Sequence, residues 1–294
     1  MNKSLTFQIK SFIAILALFI LASCGSDDKV INNPDPPEPV DTSDFQYPFT
    51  DGSNWSYTLT YSAENIRPDS IRYRFAGYPL TGYGYSEIMY DTTIPLGGEV
   101  KVIYDKLEFR GDTTASRFYY TQNEYSMICY GYRGGTNVSF PYRPANGTII
   151  SSAGRSFSSL NELSSFAAGY TGLFSASGDT FINESPIVIV LKYPVTSGFQ
   201  WLFKDFGTFT INKKYLAFEN YHLDTSVISC IKTQRINSYN NDYVMYDYYS
   251  KYGQMKRDYL FRNTQVKNEF GITIGYADFR EVYMVTSFHI AAKK

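Results

Sequence analysis

Two histidines, three cysteines and a scatter of carboxylates are the side chains of this 294-residue chain best equipped for chemistry. His222 and His289 each lack a second His or Cys at ligand spacing, so no metal site is expected. Either imidazole could serve a serine nucleophile, but the sequence has no Gly-x-Ser-x-Gly elbow. His289, near the end of the last strand candidate, reads as a surface or satisfied core residue. With no Walker loop or dinucleotide fingerprint either, no cofactor is expected. Glycosidic cleavage needs only two acids held about 5–9.5 Å apart across a cleft. Asp205, Glu219, Asp224 and Asp247 are no better candidates for it than other acids, and solvation at strand edges is their plainer role. No residue is assigned a catalytic role.

Cys24 stands in a different setting. Lys3 and Lys10 precede an unbroken apolar run over residues 12–22. As a helix that run rises only about 16 Å, against a hydrocarbon core of about 30 Å. It therefore reads as the apolar region of a secretory signal rather than a transmembrane span. Leu21-Ala22-Ser23-Cys24 resembles the lipobox of bacterial lipoproteins. The resemblance implies cleavage before Cys24, diacylation of its thiol and attachment to a membrane through N-terminal acyl chains. One chain binds marginally, at about 0.8 kcal/mol per buried CH₂, whereas two or three anchor stably. The alternative is an ordinary secretory signal with an incidental cysteine.

The segment after Cys24 is acidic and rich in proline. Ser26, Asp27 and Asp28 resemble the short export tag that Bacteroidetes-type bacteria place on lipoproteins bound for the outer face of the outer membrane. The start of a solvated linker is the other reading of the same residues. Pro34, Pro36, Pro37 and Pro39 then favour an extended spacer with too few apolar residues to pack. Three regions result: a signal peptide over 1–23, a lipidated cysteine and linker over 24–44, and a body over 45–294. The expected location is the outer membrane, lipid-anchored and at the cell surface, with the periplasmic face as the alternative.

The whole chain carries 27 basic and 28 acidic side chains. Removing Lys3 and Lys10 with the leader leaves −3. Removing Lys29 and the six linker acids (Asp27, Asp28, Asp35, Glu38, Asp41 and Asp44) leaves +2 in the body. A nearly neutral body without Lys/Arg runs gives no electrostatic basis for nucleic-acid binding.

The body reads as all-β. Residues 55–61 alternate large apolar side chains with hydroxyls, the period-2 pattern of a strand with one buried face. Residues 71–75 repeat the alternation with arginines outside. Further strands are expected around 83–93, 99–110, 116–122, 125–133, 186–194, 199–205, 207–218, 225–236, 242–250, 254–262 and 272–290, with one helical patch at 158–168 inside a long excursion over 144–184. Cys129 and Cys230 fall in two of these strands. An exported chain can hold them as a disulfide, and both also suit buried positions as small hydrophobes.

Tyr47, Pro48, Gly52 and Trp55 recur at the same spacing as Tyr193, Pro194, Gly198 and Trp201, which places both tryptophans of the chain in one slot. One reading is a corner that starts each of two similar β subunits; the other is a paired aromatic platform for a sugar ring. The Tyr-Pro-x-x-x-Gly-x-x-Trp corner resembles one that opens many uncharacterised bacterial lipoproteins. These often end in an aromatic pair, a glycine and a basic-flanked strand, here Tyr248-Tyr249 to Lys256. Gln254 and Met255 depart from that pattern. The resemblance implies a large curved antiparallel sheet or half-open barrel, and no activity. A non-enzymatic lipoprotein binding a glycan, lipid or envelope protein is the expected function. The rivals are a two-carboxylate glycoside hydrolase and a structural component of envelope assembly.

Overall fold

The computed structural model describes residues 45–94, 99–109, 112–134, 148–170 and 180–292. Cys24, the Ser26-Asp27-Asp28 tag and the proline-rich spacer lie outside them. The strands are β1 (Asn54–Arg67), β2 (Leu80–Thr93), β3 (Glu99–Phe109), β4 (Asp112–Gln122), β5 (Ser126–Arg133), β6 (Ile149–Ser152) and β7 (Arg155–Phe157). After helix α1 (Leu160–Ala168) come β8 (Phe181–Lys192), β9 (Gln200–Asp205), β10 (Thr210–Leu223), β11 (Ser226–Asn237), β12 (Tyr243–Ser250), β13 (Gly253–Lys267) and β14 (Thr273–His289).

Twelve of these strands form one antiparallel path, β8-β5-β4-β3-β2-β1-β14-β13-β12-β11-β10-β9. Pairing of β1 with β14, from Asn54↔His289 to Arg67↔Tyr276, bends the path round into a nearly closed barrel. The two edges, β8 and β9, are consecutive in the chain and do not pair, which leaves an unsealed seam. Expectation of two β subunits gives way here to one continuous sheet.

Alternation decides which face turns inward. On β1, Trp55, Tyr57, Leu59 and Tyr61 are buried while the residues between them are half-buried. The outer face carries charge at mid-strand. Arg280 grips Asp258 through two hydrogen bonds of 2.8 Å, Lys256 stands 3.1 Å from the same carboxylate, and Lys232 pairs with Glu219. Such an exterior is the reverse of the apolar band of a membrane-spanning barrel. No helix among the described residues is long and apolar enough to cross a membrane.

Two local expectations are corrected. Residues 69–75 form a 3-10 helix instead of a strand. Pro68 has no N–H to give a ladder, and Asp69 pairs with Arg72 one turn on. Ile71 and Phe75 are buried whereas Tyr73 is 65% exposed, so the apolar spacing of this stretch is four and not two. The 144–184 excursion is in part sheet: β6 and β7 form a hairpin, and β6 adds to β13 through Val266↔Ile150.

The helix in that excursion starts on Ser159, whose hydroxyl accepts from the Glu162 amide at 3.1 Å. It ends at Gly169 in the left-handed region, φ 94°. Leu160, Leu163, Phe166 and Ala167 are all buried.

Candidate functional site

Along the inward phase of five neighbouring strands, charged residues take places that alternation reserves for apolar ones. Lys213 lies between Ile211 and Tyr215 on β10, and Arg235 follows Thr233 on β11. Asp247 lies between Met245 and Tyr249 on β12, Arg257 two before Tyr259 on β13, and Glu281 between Phe279 and Tyr283 on β14. Asp105 on β3 faces them from across the barrel. A charge falling in the buried phase is the signal in the sequence that marks this set.

Asp247 is the hub. Its Oδ2 accepts from Arg235 Nε at 2.7 Å, and its Oδ1 accepts from Gln254 Nε2 at 2.9 Å and Arg257 Nε at 3.3 Å. The Tyr259 hydroxyl reaches both oxygens, at 3.1 and 3.2 Å. Burial alone would raise this carboxyl; Arg235 first, then Arg257 and Lys213, hold it well below the usual carboxylate range. A carboxylate with four donors is an anchor, not a free base.

The other two carboxyls are poorly supplied. Asp105 accepts from the Ser86 hydroxyl at 2.5 Å, and burial pushes it up to about 6 against that bond and the charge of Arg257. Glu281 is 1% exposed and neither of its oxygens receives a hydrogen bond. The nearest guanidinium nitrogen, Arg257 Nη1, is 3.9 Å from its Oε1. Burial raises the Glu281 carboxyl, opposed by Arg257 and by the Ser164 and Tyr61 hydroxyls close by.

Asp105 and Glu281 border an interior cavity of about 160 Å³, with Tyr57, Tyr120, Tyr283 and Arg257 also in its wall. Helix α1 covers one side with Asn161 and Ser164. Three donors hold the helix there by its C-terminal carbonyls: Asn237 Nδ2 to Ala167, Arg235 Nη1 to Ala168 and Lys204 Nζ to Gly169, at 3.0, 2.8 and 2.8 Å. Placing cations at this end also suits the helix dipole. Arg235 thus ties the plug to the Asp247 hub.

The two corners meet through Tyr47 and Tyr193. Gly52 and Gly198 take the same left-handed φ, 85° and 84°. The Tyr193 hydroxyl accepts from the Tyr47 amide at 3.2 Å and donates to Gln122, whose amide donates back to the Tyr47 carbonyl. Trp55 and Trp201 are both buried, and each indole N–H donates to a backbone carbonyl, that of Tyr252 and of Ile189. Neither ring presents a face to a sugar.

Cys129 and Cys230 are separate buried thiols without a bridge, and burial is the first cause pushing each up to about 12. They act as small hydrophobes. His222 and His289 are exposed on the surface. Asp205 is exposed and accepts from the Gly207 amide, Glu219 pairs with Lys232, and Asp224 sits in a turn at φ 51°. Of the four acids singled out in the sequence, the fold brings only Asp247 into the interior. The exposed tyrosines are spread over several elements: Tyr73 on the 3-10 helix, Tyr83 and Tyr90 on β2, Tyr125 in the turn before β5 and Tyr276 on β14.

No protein family matches the sequence, and a search of curated proteins also finds no match. Among solved structures, a protein from Bacteroides fragilis described as exported and of YmcC-like fold superposes on 83% of this chain and 99% of its own. The TM-score is 0.29 and the sequence identity 8%.

Proposed function

We propose that this chain is an outer-membrane lipoprotein, anchored through acylated Cys24 and displayed at the cell surface, whose barrel is a non-catalytic binding module for a small polar ligand. The observation that carries the binding part is the interior cavity, lined by the barrel and α1 and bordered by two carboxyls short of donors. A space of about 160 Å³ suits a guest of roughly six to eight heavy atoms, by comparison with a cavity of about 150 Å³ that takes benzene. An oligosaccharide or an acyl chain does not fit inside it. Anchoring by lipid agrees with a barrel whose outer face is charged at mid-strand.

Native mass spectrometry of the full chain, released gently from detergent, tests the binding part. A stoichiometric adduct below about 200 Da that disappears on unfolding supports it, and an apo mass in every preparation, with no shift on adding small amines, polyols or carboxylates, argues against it. Cys24→Ala tests the anchor separately. Acyl labelling and membrane association should both be lost; if they persist, attachment has another cause.

A further inference from the structure

We infer that the guest of the interior cavity is a small organic monocation, with the Glu281 and Asp105 carboxylates as its acceptors; this deepens the binding reading above and rests on it.

Charges turned into the barrel gather around the cavity. Asp105, Asp247 and Glu281 supply three carboxylates, and Arg235 and Arg257 supply two guanidiniums. Lys256, also in the cavity wall, is committed to Asp258 at 3.1 Å, and the remaining cation near them is Lys213. It is fully buried, donates to the Val190 carbonyl at 3.1 Å and lies over the Phe203 and Tyr249 rings. Burial, Arg235 and Arg257 push its amine below the usual lysine range, against the opposing pull of Asp247. Both guanidiniums already serve Asp247. With Lys213 spent on a backbone carbonyl, no described cation stands within hydrogen-bond distance of Glu281 or Asp105.

Geometry places that deficit at the cavity. Glu281, 1% exposed, has two oxygens without a donor, an arrangement that costs several kcal/mol when a carboxylate is ionised and buried. Asp105 has one hydroxyl donor. An ammonium group supplies the missing donors and the missing charge together. The phenol rings of Tyr57, Tyr120 and Tyr283 surround the space with surface that tolerates both a cation and its alkyl groups. A neutral guest satisfies the hydrogen bonds but leaves the charge, and an anion makes the deficit worse.

The test uses three guests of one shape with the full chain in detergent at constant ionic strength: tert-butylammonium, tert-butanol and pivalate. Calorimetric titration should show the ammonium binding at least tenfold more tightly than tert-butanol, with pivalate weakest. Glu281→Gln should weaken the ammonium at least tenfold and leave tert-butanol within about twofold. If that variant does not fold, Asp105→Asn, at a less buried site, should weaken the ammonium in the same direction. Equal binding of ammonium and alcohol overturns the cation and leaves the cavity reading standing, as does preference for pivalate. Failure of all three guests also overturns the cation, while the adduct experiment above judges the cavity by itself.

Discussion

Arg235 Nε donates to Asp247 Oδ2 over 2.7 Å with the two side chains 1% and 0% exposed, so the pair lies wholly inside the barrel. Asp247→Asn leaves Arg235 buried without its counter-charge and Arg257, 21% exposed, with only Glu281 at 3.9 Å. Breaking such a pair on one side costs about 3–5 kcal/mol. Urea denaturation at pH 7 should show that loss, with reduced protection of α1, since Arg235 also holds the Ala168 carbonyl. The folded carboxyl lies far below its unfolded value of about 4, so its contribution is complete at neutral pH. In the wild type it should fade progressively as pH drops below about 4. A variant as stable as the wild type at pH 7 would show that the pair carries no net stabilisation.

Asp105 works in the opposite sense. Its folded carboxyl sits at about 6, above the ordinary value of 3.8, so the native state holds the proton more tightly than the unfolded chain. Stability in the absence of ligand should therefore fall as pH rises from about 4 through 6, by up to about 3 kcal/mol at 1.4 kcal/mol per unit. Asp105→Asn should remove most of that slope and be more stable than the wild type at pH 7.5. Glu281, also raised, keeps a residual slope of the same sign. Urea midpoints at pH 4, 5, 6 and 7.5 decide it, and an unchanged slope in the variant refutes the assignment.

Much of this arrangement is legible along the chain, and the reason is local. The strand with Trp55, Tyr57, Leu59 and Tyr61 on one face follows from period-2 alternation, as does the helix whose Leu160, Leu163, Phe166 and Ala167 share a side. Residues 71–75 mislead because Ile71 and Phe75 fit a spacing of two as well as one of four, and Pro68 tips the balance. Closure of β1 on β14 joins residues more than 200 positions apart and leaves no trace in either segment alone. The interior charges are intermediate. Asp247, Arg235 and Glu281 each occupy a buried phase, which marks them as unusual, but which carboxylate receives the guanidiniums depends on strand order.

Gly198 of the repeated corner and Gly253, which packs on the other corner's Trp55, are two kinds of glycine. At Gly198 a Cβ meets nothing within 4 Å, so Gly198→Ala bears only the left-handed φ of 84°, a cost of about 1–2 kcal/mol. At Gly253, φ 108°, a Cβ would stand 2.5 Å from Trp55 Nε1, the atom that donates to the Tyr252 carbonyl. Gly253→Ala should cost more than about 3 kcal/mol, since both the backbone and the buried indole must move. Paired thermal melts with Trp fluorescence should show a blunted Trp signal in the second variant alone. Equal losses in the two would mean that backbone strain, and not the indole contact, sets the cost.

At the seam, side chains replace the missing strand pairing. Trp201 Nε1 donates to the Ile189 carbonyl at 2.9 Å and Lys213 Nζ to that of Val190 at 3.1 Å. The Tyr215 hydroxyl donates to the Lys192 carbonyl at 2.8 Å and accepts from the Lys192 amide at 3.0 Å. The free edge of β8 is thus served from β9 and β10, and Lys204 adds an ion pair with Glu184 near its other end. Tyr215→Phe strips a donor and an acceptor from one site while keeping the buried ring, and should cost about 2 kcal/mol. Because no backbone ladder backs it up, the effect should be local. Hydrogen exchange at the Lys192 amide and along β8 should quicken by at least tenfold, while amides paired between β1 and β14 keep their rates under conditions where exchange proceeds by local opening. A uniform rise over the whole barrel would place the hydroxyl's contribution in global stability, and unchanged exchange at Lys192 would mean that the seam is held elsewhere.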